Sequence, residues 1–128
     1  MDDRRLSNLG TGIGLVFGSA LGTLVGVFSG DLVTPLSYGL GGGIIVGALA
    51  GRLVRANTGE SDFAVRVVGG SATVGLLVGV AVGSVGSWSA DAATSTGALV
   101  GAGTGLVHGL LVGGLLLATA RKQAEIDS

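Results

Sequence analysis

The chain has 128 residues, a formal net charge of -1 and a mean hydropathy of +0.75, with 48% apolar and only 12% charged residues. Soluble domains carry about a quarter charged residues, so this balance excludes an ordinary water-soluble globule and points to an integral membrane protein. The absence of cysteine excludes disulfides, thiol nucleophiles and thiolate metal sites, and the few scattered basic residues exclude a nucleic-acid-binding surface.

A spanning helix needs about 20 mostly apolar residues at 1.5 Å each. The first predicted helix, about residues 10 to 30, carries Gly10, Gly14, Gly18, Gly22, Gly26 and Gly30. Its Ile13, Leu15, Val16, Phe17, Leu21, Leu24, Val25, Val27 and Phe28 favour insertion by roughly 3 to 5 kcal/mol, with no charge inside to oppose them. It is expected to be retained rather than cleaved as a leader, because no A-x-A-like site follows it. The second, about 36 to 54, carries Gly39, Gly43, Gly47 and Gly51, with Thr34 as its expected N-cap and Pro35 as its first helical residue. Asn57, Thr58 and Gly59 then break the chain, and Ser61 is a candidate cap for a third helix over about 64 to 88, which holds Gly75, Gly79 and Gly83. The fourth, about 97 to 119, holds Gly97, Gly101, Gly105, Gly109 and Gly113. Together these make one transmembrane domain over 1–128: hairpin one at about 8–56, a loop at about 55–63 and hairpin two at about 63–122.

Glycine costs a helix interior in water about 1 kcal/mol relative to alanine. In lipid the backbone must satisfy itself internally, so the helix persists, and rows without side chains let a neighbouring backbone approach closely. The sequence therefore predicts an all-α, membrane-embedded bundle of four transmembrane helices packed through glycine zippers. The packing residues are Gly14, Gly18, Gly22, Gly26, Gly43, Gly47, Gly75, Gly79, Gly83, Gly101, Gly105 and Gly109. A residue every four drifts by about 40° per step, so the groove is expected to spiral and can face one neighbour near the cytoplasm and another near the outside. Large apolar side chains are expected to turn to lipid or into gaps between helix pairs.

Charge placement predicts the topology. Arg4 and Arg5 precede the first helix, Arg52, Arg55 and Arg66 surround the central connection, and Arg121 with Lys122 follow the fourth, whereas the opposite side offers only Asp31 and Asp91. Basic residues stay on the cytoplasmic side, which places both termini there and the protein in the cell membrane. Tyr38 and Trp88 fall near the outer interface. The glycines of one hairpin superimpose on those of the other after a shift of about 57 or 58 positions, as expected for a parallel repeat about an axis along the membrane normal.

His108 is the one ionisable side chain deep in a predicted span, and intramembrane ionisable groups are candidates for function. Thr104 lies one turn before it, so the imidazole is expected to face another helix and to donate to a hydroxyl or carbonyl. Thr11, Ser19, Thr23, Ser71, Thr73 and Ser84, like Thr104, are expected to link helices or line a narrow polar path. No catalytic constellation, metal set or phosphate loop emerges: Gly10, Gly12 and Gly14, or Gly101, Gly103 and Gly105, lack the strand, lysine and acidic residue that nucleotide sites need. The expectation is a non-enzymatic protein without cofactor, surrounded by membrane lipids, with a structural or assembly role and oligomers or a membrane-protein partner met through leftover glycine grooves. The alternative is a small channel or transporter with a path between helices or subunits near His108.

Four glycine-zipper helices, with a stretch from Arg55 through Asp62 to Gly69 and Gly70 that is similar to the arginine, aspartate and paired-glycine signature between the second and third helices, resemble the mitochondrial inner-membrane translocase family. Thr58 stands where that family's signature has arginine, and Val74 where it has its last glycine, with Gly75 one place later. The resemblance implies protein insertion or lipid-related work.

Overall fold

A computed structural model describes residues 3–59, 61–89 and 93–126. Among these the chain is all-helical: α1 (Asp3–Ser29), α2 (Val33–Asn57), α3 (Phe63–Ser89) and α4 (Thr94–Ile126). Each is long and apolar enough to cross a membrane, over Asn8–Ser29, Val33–Asn57, Phe63–Trp88 and Thr94–Ile126. The fold is that of a small multipass membrane protein.

At their polar ends the first and last helices run past the limits expected from the sequence. The first starts at Asp3 and the last continues through Arg121 and Lys122 to Ile126. Leaving the apolar layer does not end a helix, and Arg, Lys, Gln, Ala and Glu all have good helix propensity. At the start of α2 the expected cap is displaced. Val33 and Thr34 already lie in the helix, and their amides donate to Asp31 Oδ1 at 3.1 and 3.3 Å. Pro35 remains in the first turn, where its missing N–H leaves no intrahelical bond unmade. Gly30 does not extend the glycine row of α1. It takes a φ of 74° and makes the turn into α2, as Gly59, at 91°, does after α2.

Each hairpin is joined backbone to backbone. A Cβ placed on Gly14 would stand 2.8 Å from the Gly47 Cα and nearer still to the Gly43 carbonyl oxygen, and one on Gly18 would reach the Gly39 oxygen and lie 2.9 Å from the Gly43 Cα. Gly22 meets Pro35 and Leu36, and Gly26 meets Asp31 and Leu32. In the second hairpin Gly75 faces Gly105 and Gly109, Gly79 faces Gly101 and Gly105, Gly83 faces Gly97 and Gly101, and Gly109 faces Ser71 and Ala72. Every four-residue step along one helix is matched by a four-residue step back along its partner.

The row on α1 therefore stays on α2 from Gly10 to Gly26 and does not pass to another neighbour, which corrects the spiral expected from a straight helix. A contact repeat longer than 3.6 residues can keep such a register where the two helices wind about each other right-handedly.

Between hairpins α2 packs on α3 and α4, and α1 on α4, while among the described residues the backbones of α1 and α3 do not approach closely. Ala50, Val54, Val67, Val112 and Leu116 form a fully buried cluster, with Leu9, Ile13, Phe63 and Ala120 against it. All of these lie toward the end that carries the α2–α3 connection. The larger share of big apolar side chains, Phe28, Val33, Leu77 and Leu99 among them, points outward.

Candidate functional site

The other half of the bundle, toward the hairpin turns, is built from smaller residues and is not filled. A cleft of about 460 Å³ lies between the hairpins, walled by Gly18, Leu21, Gly22 and Val25 of α1, Gly39, Gly42 and Gly43 of α2, Val78, Gly79 and Val82 of α3, and Val100, Gly101 and Gly105 of α4. The cause is side-chain volume by depth. Leu, Ile, Val and Phe occupy the inter-hairpin seam at the connection end, and glycine and valine occupy it at the turn end. On the α2–α3 side a Cβ added to Gly42 would lie 3.5 and 3.7 Å from Val78 and Val82, and one added to Gly86 3.7 and 3.8 Å from the Tyr38 ring, so each glycine leaves room for a methyl.

His108 and Thr104 both line this cleft, so the structure brings together the two polar residues singled out from the sequence. They do not pair. Thr104 Oγ1 donates to the Val100 carbonyl of its own helix at 2.8 Å. His108 is 5% exposed, and its ring stands edge-on to Phe17 of α1, with centroids 6.4 Å apart and planes at 88°. Its Nε2 is buried without a hydrogen-bond partner, as is Ser71 Oγ. The bond expected of the imidazole is thus not made at that nitrogen. A buried polar atom left unpaired is uncommon and calls for an explanation.

The hydroxyls expected to link helices instead serve their own. Ser19 donates to Val16, Thr23 to Ser19, Thr73 to Gly69 and Ser84 to Val80, all through backbone carbonyls three or four residues back. A short hydroxyl side chain on a helix reaches that carbonyl more readily than another helix, which is why the linking expectation fails for these four.

At the mouth of the cleft stand Ser29, Asp31, Thr34, Tyr38 and Ser87, residues the sequence reading did not join into one site. Hydrogen bonds from the Thr34 side chain and amide, together with the Val33 amide, hold the exposed Asp31 carboxyl below the usual carboxylate range. Asp91, expected on the same side, and Glu60 in the central connection lie outside the described residues, and the side chains of Arg4 and Arg5 are likewise not described. Among the described residues no three His, Cys, Asp or Glu side chains come close enough to hold a metal ion.

The helices and the cleft define a four-helix multipass membrane protein with an apolar inter-hairpin cavity, one buried histidine at its inner end and one carboxylate at its mouth. No protein-family description, curated protein or solved structure matches the chain.

Proposed function

We propose that this is a non-enzymatic membrane protein whose role is structural, each hairpin acting as a rigid unit welded by glycine zippers. The observation that supports it is the approach of Gly14 and Gly18 to Gly39, Gly43 and Gly47, and of Gly75, Gly79 and Gly83 to Gly97, Gly101 and Gly105, at which any added Cβ would collide with backbone. Such contact lets peptide groups attract across the interface, through dispersion and weak Cα–H···O contacts, where lipid offers no hydrophobic drive. The matching pairing in the two hairpins supports a parallel repeat, and the basic residues support cytoplasmic termini in the cell membrane. Glycines that face open space, Gly12, Gly41, Gly69, Gly103 and Gly114, are the ones left for a second copy or a membrane-protein partner.

One observation favours a second reading, that of a small transporter or channel. The cleft lies between the hairpins, reaches His108, and stops short of the packed cluster of Val54, Val67, Val112 and Leu116, so a path between the helices would run from the turn end toward His108. Flux of protons and monovalent ions into liposomes, measured with wild type and His108→Ala, separates the two. Silence in both supports the structural role. Specific flux that His108→Ala abolishes overturns it in favour of transport.

A further inference from the structure

We propose that the inter-hairpin cleft binds a lipophilic ammonium compound, with its apolar body along the glycine and valine walls and its cationic head at Asp31. The proposal deepens the second reading above and rests on it. The cavity, at about 460 Å³, lies within the range of small-molecule sites. Its walls at Gly22, Gly42, Val78, Val82 and Val100 have no side-chain polar group, so a hydrocarbon body enters without stranding a hydrogen bond.

The mouth selects the sign of the head. Asp31 is the one charged side chain lining the cleft among the described residues, with no lysine or arginine beside it. Its Oδ1 accepts the Val33 and Thr34 amides, which fixes the carboxylate at the rim and keeps it ionised at neutral pH. A carboxylate or sulfate head would meet a like charge there, whereas an ammonium meets an opposite one. The Tyr38 ring, in the same wall, adds an aromatic surface of the kind that attracts cations. At the inner end the cleft stops against His108, whose Nε2 is buried away from it.

The test is a titration of the whole protein in phosphocholine nanodiscs, following the amide resonances of Gly42 and Gly101. Dodecyltrimethylammonium, dodecanol and dodecyl sulfate are added in turn, with free concentrations corrected for bilayer partition. Saturable shifts are expected, with the ammonium bound at least about fivefold more tightly than the alcohol, the factor for a contact ion pair in water. Asp31→Asn, which retains the helix cap because asparagine caps as well as aspartate, is expected to remove that preference. Val100→Trp and Val25→Trp, each filling the cleft from an exposed side, are expected to abolish the shifts. Equal binding of the alcohol, tighter binding of the sulfate, or an unchanged Asp31→Asn overturns cation recognition while leaving a cleft that binds apolar ligands. Absence of saturable shifts in the wild type, or shifts that persist in both tryptophan variants, overturns the cleft as a site altogether.

Discussion

Gly14→Ala and Gly12→Ala, two residues apart on α1, differ only in what the new methyl meets. At Gly14 it would lie 2.8 Å from the Gly47 Cα and 2.9 Å from the Gly47 nitrogen, and nearer to the Gly43 oxygen, all backbone atoms that cannot swing aside. At Gly12 it would meet no atom beyond its own stretch of helix within 4 Å among the described residues. Alanine brings a similar helix-propensity gain at both positions, up to about 1 kcal/mol, so the difference between the variants isolates the steric cost. Forcing a methyl into a close-packed contact costs about 1–3 kcal/mol, and Gly14→Ala should be less stable than Gly12→Ala by that amount. Unfolding in mixed micelles with rising sodium dodecyl sulfate, followed by energy transfer between fluorophores on α1 and α2, reads the difference. A Gly14→Ala protein as stable as Gly12→Ala would refute the backbone contact.

Other perturbations have equally definite signs. Leu116→Ala removes a fully buried side chain from the inter-hairpin cluster and should cost about 2–5 kcal/mol in the same unfolding assay; a loss below 1 kcal/mol would mean that the seam is not packed. His108→Phe keeps an aromatic ring against Phe17 and removes a buried nitrogen without a partner, so stability should hold or rise by about 1 kcal/mol; a large loss would reveal a bond at that nitrogen. The Asp31 carboxyl is held below its ordinary 3.8, so the stability it contributes is complete above that value and is lost as the pH falls through the lowered one. Wild type should therefore weaken relative to Asp31→Asn in strong acid, and parallel pH curves would contradict the cap.

Helix number, type and approximate limits were legible because lipid leaves a long apolar segment no alternative to the helix, whatever its glycine content. The glycines at four-residue spacing also announced close packing, but their partners were not legible. A straight-helix drift sends the α1 row toward a second neighbour, whereas Gly10 through Gly26 all face α2 or the turn that leads into it. Gly30 continues the spacing yet serves the turn, since a period does not reveal where a chain reverses. Thr34 before Pro35 is a good cap in isolation. It lost to Asp31, three residues earlier, whose carboxylate reaches both the Val33 and Thr34 amides.

The cleft had a signal that periodicity hides. Summing side-chain size by depth sets Gly39, Gly42, Gly43, Gly79 and Gly83 at one level and Val54, Val67, Val112 and Leu116 at another. Such a comparison needs the pairing of the helices, which single-helix patterns do not supply. Thr104 and His108 were chosen as neighbours on one helix face, and that face does line the cavity; the expected bond was not made because Thr104 reaches its own backbone first.

The chain contains no cysteine, so single introduced thiols give a clean readout of whether these four helices cross a bilayer with both turns on one side. Leu32→Cys and Ala93→Cys report on the two turns, and Ser61→Cys on the α2–α3 connection. In sealed vesicles of uniform orientation, a membrane-impermeant maleimide should modify Leu32→Cys and Ala93→Cys from one side, and Ser61→Cys only after the bilayer is permeabilised, or the reverse if the vesicles are inverted. Modification of all three from the same side of intact vesicles would contradict the four-span arrangement on which the proposed zippers and the proposed ligand site depend.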